Sequence, residues 1–368
     1  MVNTSKIKKK RNILIIFVSI FLSLILFNLF FNIKDSQIEK LKINKEVEFK
    51  AEIINNKRII CSGKSDFDQC VNINKKNNVL LLGNSQLNGI INKKNDDFLT
   101  SYYLFNKLKN RNQNLITFAL ANGSLSEFLI LTEYITNKIK LEKIIISLVY
   151  DDLREGNIRK DISDFFDQQN FKDQFASTKH KKKILEKTTN KKNVIKKFEN
   201  KDTPQKIVEK KFNEFFNYCC NLNEKKLLGS NRIYHNLYLL RNYVFNINPS
   251  TERKLIPAFY EDNINSLREI IKFSKKNNIA LYLYIAPIRN DIKIPYNKDQ
   301  YKNFIKFIKK LSESNNLPFK NFEKEIPNHM WGTKPGTSLN RDVEVDFMHF
   351  QGTGHKIFSS SIFKFITK

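Results

Sequence analysis

Beyond residue 78, short runs of consecutive apolar residues alternate with longer stretches whose apolar residues recur every three or four positions. The short runs are typical of buried parallel strands, and the longer stretches are typical of helices that bury one face. The predicted strands cover residues 79–82, 115–119, 143–149, 279–286 and a weaker 317–322. The predicted helices cover residues 98–110, 124–140, 260–276, 299–314 and 353–367.

This alternation predicts a three-layer α/β fold, with a parallel sheet of about five strands and helices on both faces. Reactive groups in such sheets lie at the carboxyl ends of the strands. The alternation stops at residues 155–255, which are polar and lysine-rich with aromatic patches. This segment is predicted to be an insertion that forms charged helices or a partly disordered lobe.

Residues 12–33 contain no charged side chain and consist mostly of Ile, Leu and Phe. As a helix they would extend roughly 33 Å, enough to cross a hydrocarbon core of about 30 Å. The basic residues of segment 1–11 favour a cytoplasmic N-terminus. A cleaved signal peptide is the alternative, but residues 31–35 offer no small-residue cleavage site. We therefore predict a signal anchor, a stem over residues 34–77, and a body over residues 78–368 outside the cytoplasm.

The formal net charge is +27, from 64 Lys and Arg against 37 Asp and Glu. In a cytoplasmic protein this charge would suggest nucleic acid, and a membrane-tethered nucleic-acid binder is a third hypothesis that rests on charge alone. Outside the cytoplasm, anionic lipid or anionic envelope glycan is the more typical partner. A compositional bias of the source genome explains the charge equally well, so no nucleic-acid partner is expected.

The four cysteines indicate no metal site. Cys61 and Cys70 flank a short polar stretch, where a local disulfide is plausible if the compartment is oxidising. Cys219 and Cys220 are adjacent and cannot pair with each other without strain. The sequence contains no Cys-x-x-Cys motif and no His/Cys cluster, so neither a metal nor a cofactor is predicted.

Two segments at opposite ends of the body carry candidate chemistry. The first predicted strand ends in Gly83-Asn84-Ser85-Gln86, which would present the Ser85 hydroxyl at the carboxyl edge of the sheet. Near the C-terminus, Asp346 precedes His349 by three residues. A histidine is the usual base for a serine nucleophile near neutral pH, and a carboxylate can hold its imidazole in the required tautomer.

In this order the segments resemble the blocks of SGNH (GDSL-type) hydrolases. Gly83-Asn84-Ser85-Gln86 resembles the first block, segment 121–124 the second, segment 147–152 the third, and Asp346-x-x-His349 the last. The resemblance covers residues 78–152 and 279–363 and implies a flavodoxin-like fold. It also implies Ser85 as nucleophile, His349 as base and Asp346 as its orienting carboxylate, with the N–H groups of Ser85 and Gly123 in the oxyanion hole.

The third block departs from the family pattern, because Asp151 stands where the family has an oxyanion-binding Asn. An ionised carboxylate accepts hydrogen bonds and repels an oxyanion. Four explanations remain: a protonated Asp151, a shifted alignment, an oxyanion hole made of backbone donors only, or a protein that does not catalyse. Asn84, Asn122 and Arg289 are the candidate substrate-binding residues, and His355 is predicted to be structural.

The predicted function is that of a membrane-anchored esterase or O-acyltransferase acting on acyl esters of cell-envelope glycans. Membrane-anchored alginate acetyltransferases and the teichoic-acid D-alanylation protein have a similar architecture, which implies a membrane partner that donates acyl groups. The alternative is a catalytically silent protein of the same fold that binds polysaccharide or scaffolds envelope assembly. The sequence does not decide between hydrolysis and transfer.

Overall fold

The computed structural model describes residues 53–54, 57–72, 75–199, 251–334 and 343–367, all within one compact unit. The strands among them are β1 (Ile53–Ile54), β2 (Lys57–Arg58), β3 (Ile60–Cys61), β4 (Asn78–Gly83), β5 (Asn114–Ala119), β6 (Leu141–Leu148), β7 (Ala280–Ile285), β8 (Phe319–Asn321), β9 (Trp331–Lys334) and β10 (Glu344–Phe350). The helices are α1 (Phe67–Cys70), α2 (Thr100–Lys109), α3 (Leu125–Lys138), α4 (Lys160–Ser163), α5 (Gln169–Phe175), α6 (Lys179–Glu199), α7 (Pro257–Lys276), α8 (Lys298–Ser314) and α9 (Gly352–Ile366).

Six strands form one parallel sheet in the order β3-β5-β4-β6-β7-β8. Without β3, this is the flavodoxin-like order 2-1-3-4-5. The strand that follows β4 lies on one side of it and β6 lies on the other, so the direction of winding reverses at β4. Ligands of such sheets bind in the crevice at this reversal, beyond the carboxyl ends of the strands.

Helices cover both faces of the sheet because the apolar side chains of the central strands alternate in direction. Leu80 and Leu82 of β4 pack into the core formed with α3, α7 and α8. Val79 and Leu81 pack into the core formed with α2 and α9. The three-layer architecture predicted from the alternation of strands and helices is confirmed.

The N-terminus of α3 is stabilised by a capping box. The Ser124 hydroxyl accepts a hydrogen bond from the Glu127 N–H at 3.2 Å, and the Glu127 carboxylate accepts one from the Ser124 N–H at 3.1 Å. This capping box satisfies two N–H groups that lack partners in the first helical turn. It fixes the start of α3 just beyond the carboxyl end of β5.

The predicted strand number and the boundary at residue 78 both need correction. Strand β3 pairs in parallel with β5, so the sheet has six strands. The same segment contributes buried Phe67 to the main core, and Cys61 and Cys70 form a disulfide. Residues of the predicted stem therefore belong to the compact body, where β3 forms the edge of the sheet.

The described part of the insertion is helical and partly buried. Phe165, Phe171 and Phe175 lie in the main core, and α6 follows them. Residues 200–250 lie outside the described residues. Within the described residues no helix is long and apolar enough to cross a membrane, and the predicted anchor, residues 12–33, lies outside them.

Candidate active site

Ser85 begins a 3₁₀ turn directly after β4, at the reversal point of the sheet. Asn84 caps this turn, since its side-chain oxygen accepts the Gln86 N–H at 3.0 Å. Asn88, which ends the turn, donates from its side chain to the Ala119 carbonyl oxygen at 3.1 Å. The nucleophile predicted from the sequence is thus fixed between the carboxyl ends of β4 and β5.

Strand β10 carries Asp346 and His349 to the same edge. It pairs with β9 in an antiparallel ribbon whose register shifts between Val345 and Phe350. At this irregularity one Asp346 carboxylate oxygen accepts the N–H groups of Met348 at 2.7 Å and His349 at 2.9 Å. Such a side-chain-to-backbone turn bends the strand, so that Asp346 and His349 face each other.

The three predicted side chains form one hydrogen-bonded row. His349 Nδ1 lies 3.0 Å from Asp346 Oδ2, and His349 Nε2 lies 3.0 Å from Ser85 Oγ. Because a carboxylate accepts and cannot donate, the proton of a neutral imidazole lies on Nδ1. The Nε2 lone pair then faces the Ser85 hydroxyl, which is the arrangement a general base requires.

Asp346 remains ionised over the whole pH range in which most proteins are folded. Its burial pushes the pKa upward, but the hydrogen bond and positive charge of His349 and two backbone N–H groups outweigh burial and lower the pKa to about 2. The side chain is 3% exposed, whereas that of His349 is 27% exposed. The base can therefore reach a substrate while its orienting carboxylate is shielded from water.

Gln86 ties the serine turn to the histidine strand. Its fully buried side-chain nitrogen donates to the Met348 carbonyl oxygen at 2.7 Å and to the Pro287 carbonyl oxygen at 2.8 Å. Gly89 packs against the His349 ring, and a Cβ atom added at Gly89 would lie 3.2 Å from His349 Cδ2. The sequence motif assigns no role to Gln86, and its position just beyond the buried strand β4 is the signal that points to one.

A pocket of about 150 Å³ opens over this row. Its lining residues come from the loops after β4, β5 and β6, from β9 and β10, and from the segment before α7: Asn84, Ser85, Asn122, Val149, Asp151, Asp152, Arg253, Lys334, Asp346, Phe347, Met348 and His349. A small acyl group fits this space.

The predicted oxyanion donors differ in the structure. Ser85 opens its turn, where the first N–H has no partner within the turn, so this donor is retained. Gly123 is a correction: its N–H donates to the Leu120 carbonyl oxygen at 2.9 Å. Asn122, at φ 52°, turns the chain so that the Gly123 N–H bonds to the backbone of its own loop instead of pointing into the pocket.

Asp151 is an acceptor and holds three donors. One carboxylate oxygen accepts from Arg154 at 3.0 Å, and the other accepts from Arg253 at 2.6 Å and from the Tyr296 hydroxyl at 3.0 Å. Burial, followed by the charge of Asp151, raises the pKa of Tyr296 well above its usual range, so this phenol stays protonated. Asp151 therefore cannot take the donor role of an asparagine, and two guanidinium groups offset its charge.

The candidate substrate-binding residues divide into two groups. Asn84 and Asn122 line the pocket, and the Arg159 side chain braces the Asn122 carbonyl oxygen at 3.3 Å. Arg289 does not line it, which corrects the prediction. Its guanidinium pairs with Asp291 at 2.7 Å and donates to the Gly332 carbonyl oxygen at 3.2 Å.

His355 is structural, as predicted, and it caps the N-terminus of α2. Its Nδ1 accepts the N–H of Thr100, the first residue of α2, at 3.2 Å, and its Nε2 lies 3.1 Å from the Gly89 carbonyl oxygen. Burial lowers the pKa of His355 to about 3, so it stays neutral. Among the described residues no group of three or more potential ligands could hold a metal ion.

Asp152 lines the pocket, although its side chain is almost fully buried. One of its oxygens accepts the Val149 N–H at 2.9 Å and lies 3.5 Å from the Asn84 side-chain nitrogen. Burial raises the pKa of Asp152 well above its usual value, and nearby Asp151 and Glu155 add to the effect. A raised pKa means that this group costs folding free energy as the pH rises above its unfolded value of about 4.

Replacing Asp152 with asparagine is therefore expected to stabilise the fold increasingly as the pH rises. Because burial penalises only the ionised carboxylate, the gain should vanish near pH 4 and grow as the pH rises towards 8. Urea unfolding of both chains at several pH values measures this difference. A gain that does not change with pH would show that Asp152 is ionised in the folded protein.

Sequence comparison identifies no relative, since no family model and no curated protein matches the chain. Similar solved structures include a proposed acylhydrolase from Bacteroides fragilis, with 10% identity, a TM-score of 0.39 and coverage of 82% of this chain and 94% of that chain. A GDSL-like lipase from Bacteroides thetaiotaomicron has 10% identity, a TM-score of 0.36 and coverage of 79% and 88%. A proposed GDSL-like lipase from Parabacteroides merdae has 13% identity, a TM-score of 0.37 and coverage of 80% and 97%. Values this low identify no family.

Proposed function

We propose that the protein is an SGNH-type serine esterase or O-acyltransferase. The observation that carries this proposal is the row formed by Ser85, His349 and Asp346, with 3.0 Å between the hydroxyl and imidazole and 3.0 Å between imidazole and carboxylate. This row lies at the winding reversal of a parallel sheet, where substrates of such folds bind. A serine with a positioned base and an orienting carboxylate is the arrangement for acyl transfer.

The geometry supports a two-step reaction. His349 Nε2 takes the Ser85 proton as Oγ attacks the carbonyl carbon of an ester, and the Ser85 N–H faces the developing oxyanion. The imidazolium, held by Asp346, then gives its proton to the departing alkoxide, leaving an acyl-Ser85 ester. Water or a sugar hydroxyl next loses its proton to His349 and attacks the acyl carbon. His349 returns that proton to Ser85 Oγ as the acyl–serine bond breaks, which releases the acid or the new ester.

Labelling with a fluorophosphonate probe tests for the activated serine. The full chain, purified in a mild detergent, is expected to label covalently, and Ser85→Ala and His349→Ala are expected to abolish labelling. His329→Ala, which alters an exposed histidine outside the pocket lining, serves as the control and should label normally. A folded wild-type protein that fails to label would contradict the enzyme proposal.

The second candidate function is binding of polysaccharide without turnover. It is favoured by one specific observation: two of the predicted oxyanion donors are unusable, because Gly123 is engaged and Asp151 is an acceptor. Losing one such donor typically costs about 10²–10³ in rate. If the wild-type chain does not label but retains envelope polysaccharide on an affinity gel, this candidate replaces the enzyme.

The proposed substrate is an acyl ester of a cell-envelope glycan, with segment 12–33 holding the body outside the cytoplasm. The high positive charge of the chain and its resemblance to membrane-anchored acyltransferases support this choice. Acetyl is the simplest acyl group that suits a pocket of about 150 Å³. Acetate released from an O-acetylated glycan would indicate hydrolysis, whereas a labelled glycan formed from an acyl donor would indicate transfer.

A further inference from the structure

Two cationic side chains, Arg253 and Lys334, line the pocket outside the family motifs, and Arg253 is the one held by Asp151. Arg253 lies in the segment that leads into α7 (Pro257–Lys276), far along the chain from Ser85, yet both line the same small pocket. A guanidinium group has five N–H donors. Within the described part of the chain, Asp151 is the single hydrogen-bond partner of the Arg253 side chain, through Nη1 at 2.6 Å. Donors of Arg253 therefore remain for a ligand.

Three contacts fix the position of this guanidinium group. The Arg253 N–H donates to the Pro295 carbonyl oxygen at 2.7 Å, which anchors its backbone. The guanidinium carbon lies 5.1 Å from the ring centroid of Phe347, which stands between Asp346 and Met348 in β10. Asp151 holds the polar end, and Arg154 and Tyr296 hold Asp151 in turn. A donor held on several sides loses little entropy when it binds an anion.

We infer that Arg253, held in place by Asp151, is the oxyanion donor that replaces the asparagine amide expected in the third block. The inference rests on the proposed function and explains its departures from the family pattern. Gly123 offers no N–H and Asp151 offers no donor, so the developing negative charge needs another partner. A guanidinium donor is charged, and charge-assisted hydrogen bonds are roughly twice as strong as neutral ones.

The two members of the Arg253–Asp151 ion pair therefore have different roles. Arg253 touches the reacting oxygen, whereas Asp151 is a positioning residue that acts through Arg253. The side chain of Arg253 is 36% exposed and that of Asp151 is 16% exposed, so the donor reaches the pocket from its rim. An ion pair in this setting also prevents Asp151 from repelling the oxyanion, because its charge is already offset.

Asp151→Asn gives the most discriminating test. Restoring the family's own residue would raise activity if Asp151 were a defect in the oxyanion hole. Here it is expected to lower kcat on the neutral ester p-nitrophenyl acetate by about tenfold or more, because it releases Arg253. Arg253→Ala is expected to lower kcat by about 10²–10³ with KM changed less than about threefold, and to slow fluorophosphonate labelling in step.

Rescue and controls separate catalysis from folding. Added guanidinium chloride at low millimolar concentration should restore part of the Arg253→Ala activity but none of the Ser85→Ala activity. Arg253→Lys, which keeps the charge, should retain more activity than Arg253→Ala. Arg268→Ala, an exposed arginine of α7 outside the pocket lining, should leave kcat unchanged, and thermal melts should show all variants folded.

The outcomes distinguish the two proposals. An active wild type whose Asp151→Asn variant is equally or more active would overturn the inference and leave the proposed function standing. If Arg253→Ala raised KM without lowering kcat, and did so only for an anionic ester, Arg253 would be a substrate-binding residue. The inference would then be overturned. A wild type that neither labels nor hydrolyses the ester would remove the proposed function and this inference together.

Discussion

His349→Ala is expected to lower kcat for hydrolysis of a simple ester by about 10⁴–10⁶-fold, a loss as large as that from removing the Ser85 hydroxyl itself. A loss of 10⁴ corresponds to about 5.4 kcal/mol of lost transition-state stabilisation. The reason is that Nε2 is the base that takes the Ser85 proton, and it lies 3.0 Å from Ser85 Oγ. Without it the hydroxyl is a weak nucleophile at neutral pH.

Asp346→Asn tests the same row without removing the base. Asparagine can still accept the N–H groups of Met348 and His349, which Asp346 accepts through Oδ1. Its amide N–H₂ would then face Nδ1 and force the imidazole proton onto Nε2, the wrong nitrogen for a base. We expect a loss of about 10⁴ in kcat with little change in KM.

Steady-state kinetics on p-nitrophenyl acetate, with the fluorophosphonate probe as a second readout, measures both losses. His329→Ala is the matched control and should keep wild-type kcat, because His329 is exposed and outside the pocket lining. If Asp346→Asn kept more than a tenth of the wild-type kcat, the carboxylate would not be needed to set the tautomer. The 3.0 Å contact between Asp346 and His349 would then be structural only.

The central architecture follows from the sequence because its signals are local. Strands such as β4 are buried on both faces, so they appear as continuous apolar runs with clear ends. The Ser124–Glu127 capping box marks the start of α3 in the same local way. Strand β3 was missed because two residues within a polar segment give no periodic signal, and its pairing with β5 is a long-range contact.

The same difference between local signals and long-range contacts decides which site residues the sequence identifies. Ser85, Asp346 and His349 were identified because each lies in a short motif at the end of an element. Arg253 was not identified, because nothing near it in sequence indicates that it meets Asp151, and only the folded chain brings the two together. Arg289 was assigned to the substrate because its position after β7 was right, but Asp291 two residues later captures its guanidinium.

Gln86→Leu is expected to destabilise the protein by about 2–4 kcal/mol and to lower kcat by about 10²-fold. Leucine is similar in size but cannot donate, so the carbonyl oxygens of Pro287 and Met348 would lose their bonds of 2.8 and 2.7 Å. Each unsatisfied buried group costs about 1–3 kcal/mol. The loss in rate follows because these bonds fix the His349 strand against the Ser85 turn, and a shift of about 1 Å can cost 10² in rate.

Urea unfolding and steady-state kinetics on the same preparation measure the two effects. Gln113→Leu is the matched control: Gln113 is half-buried just before β5, at the opposite edge of the sheet, and its side chain donates weakly to Glu142 at 3.4 Å. It should change stability by no more than about 0.5 kcal/mol and leave kcat intact. A Gln86→Leu chain with wild-type kcat but reduced stability would mean that the ribbon of β9 and β10 positions His349 unaided. In that case Gln86 would not contribute to the contact between Ser85 and His349. The carboxyl edge of the sheet would position the serine turn and the histidine strand independently of each other.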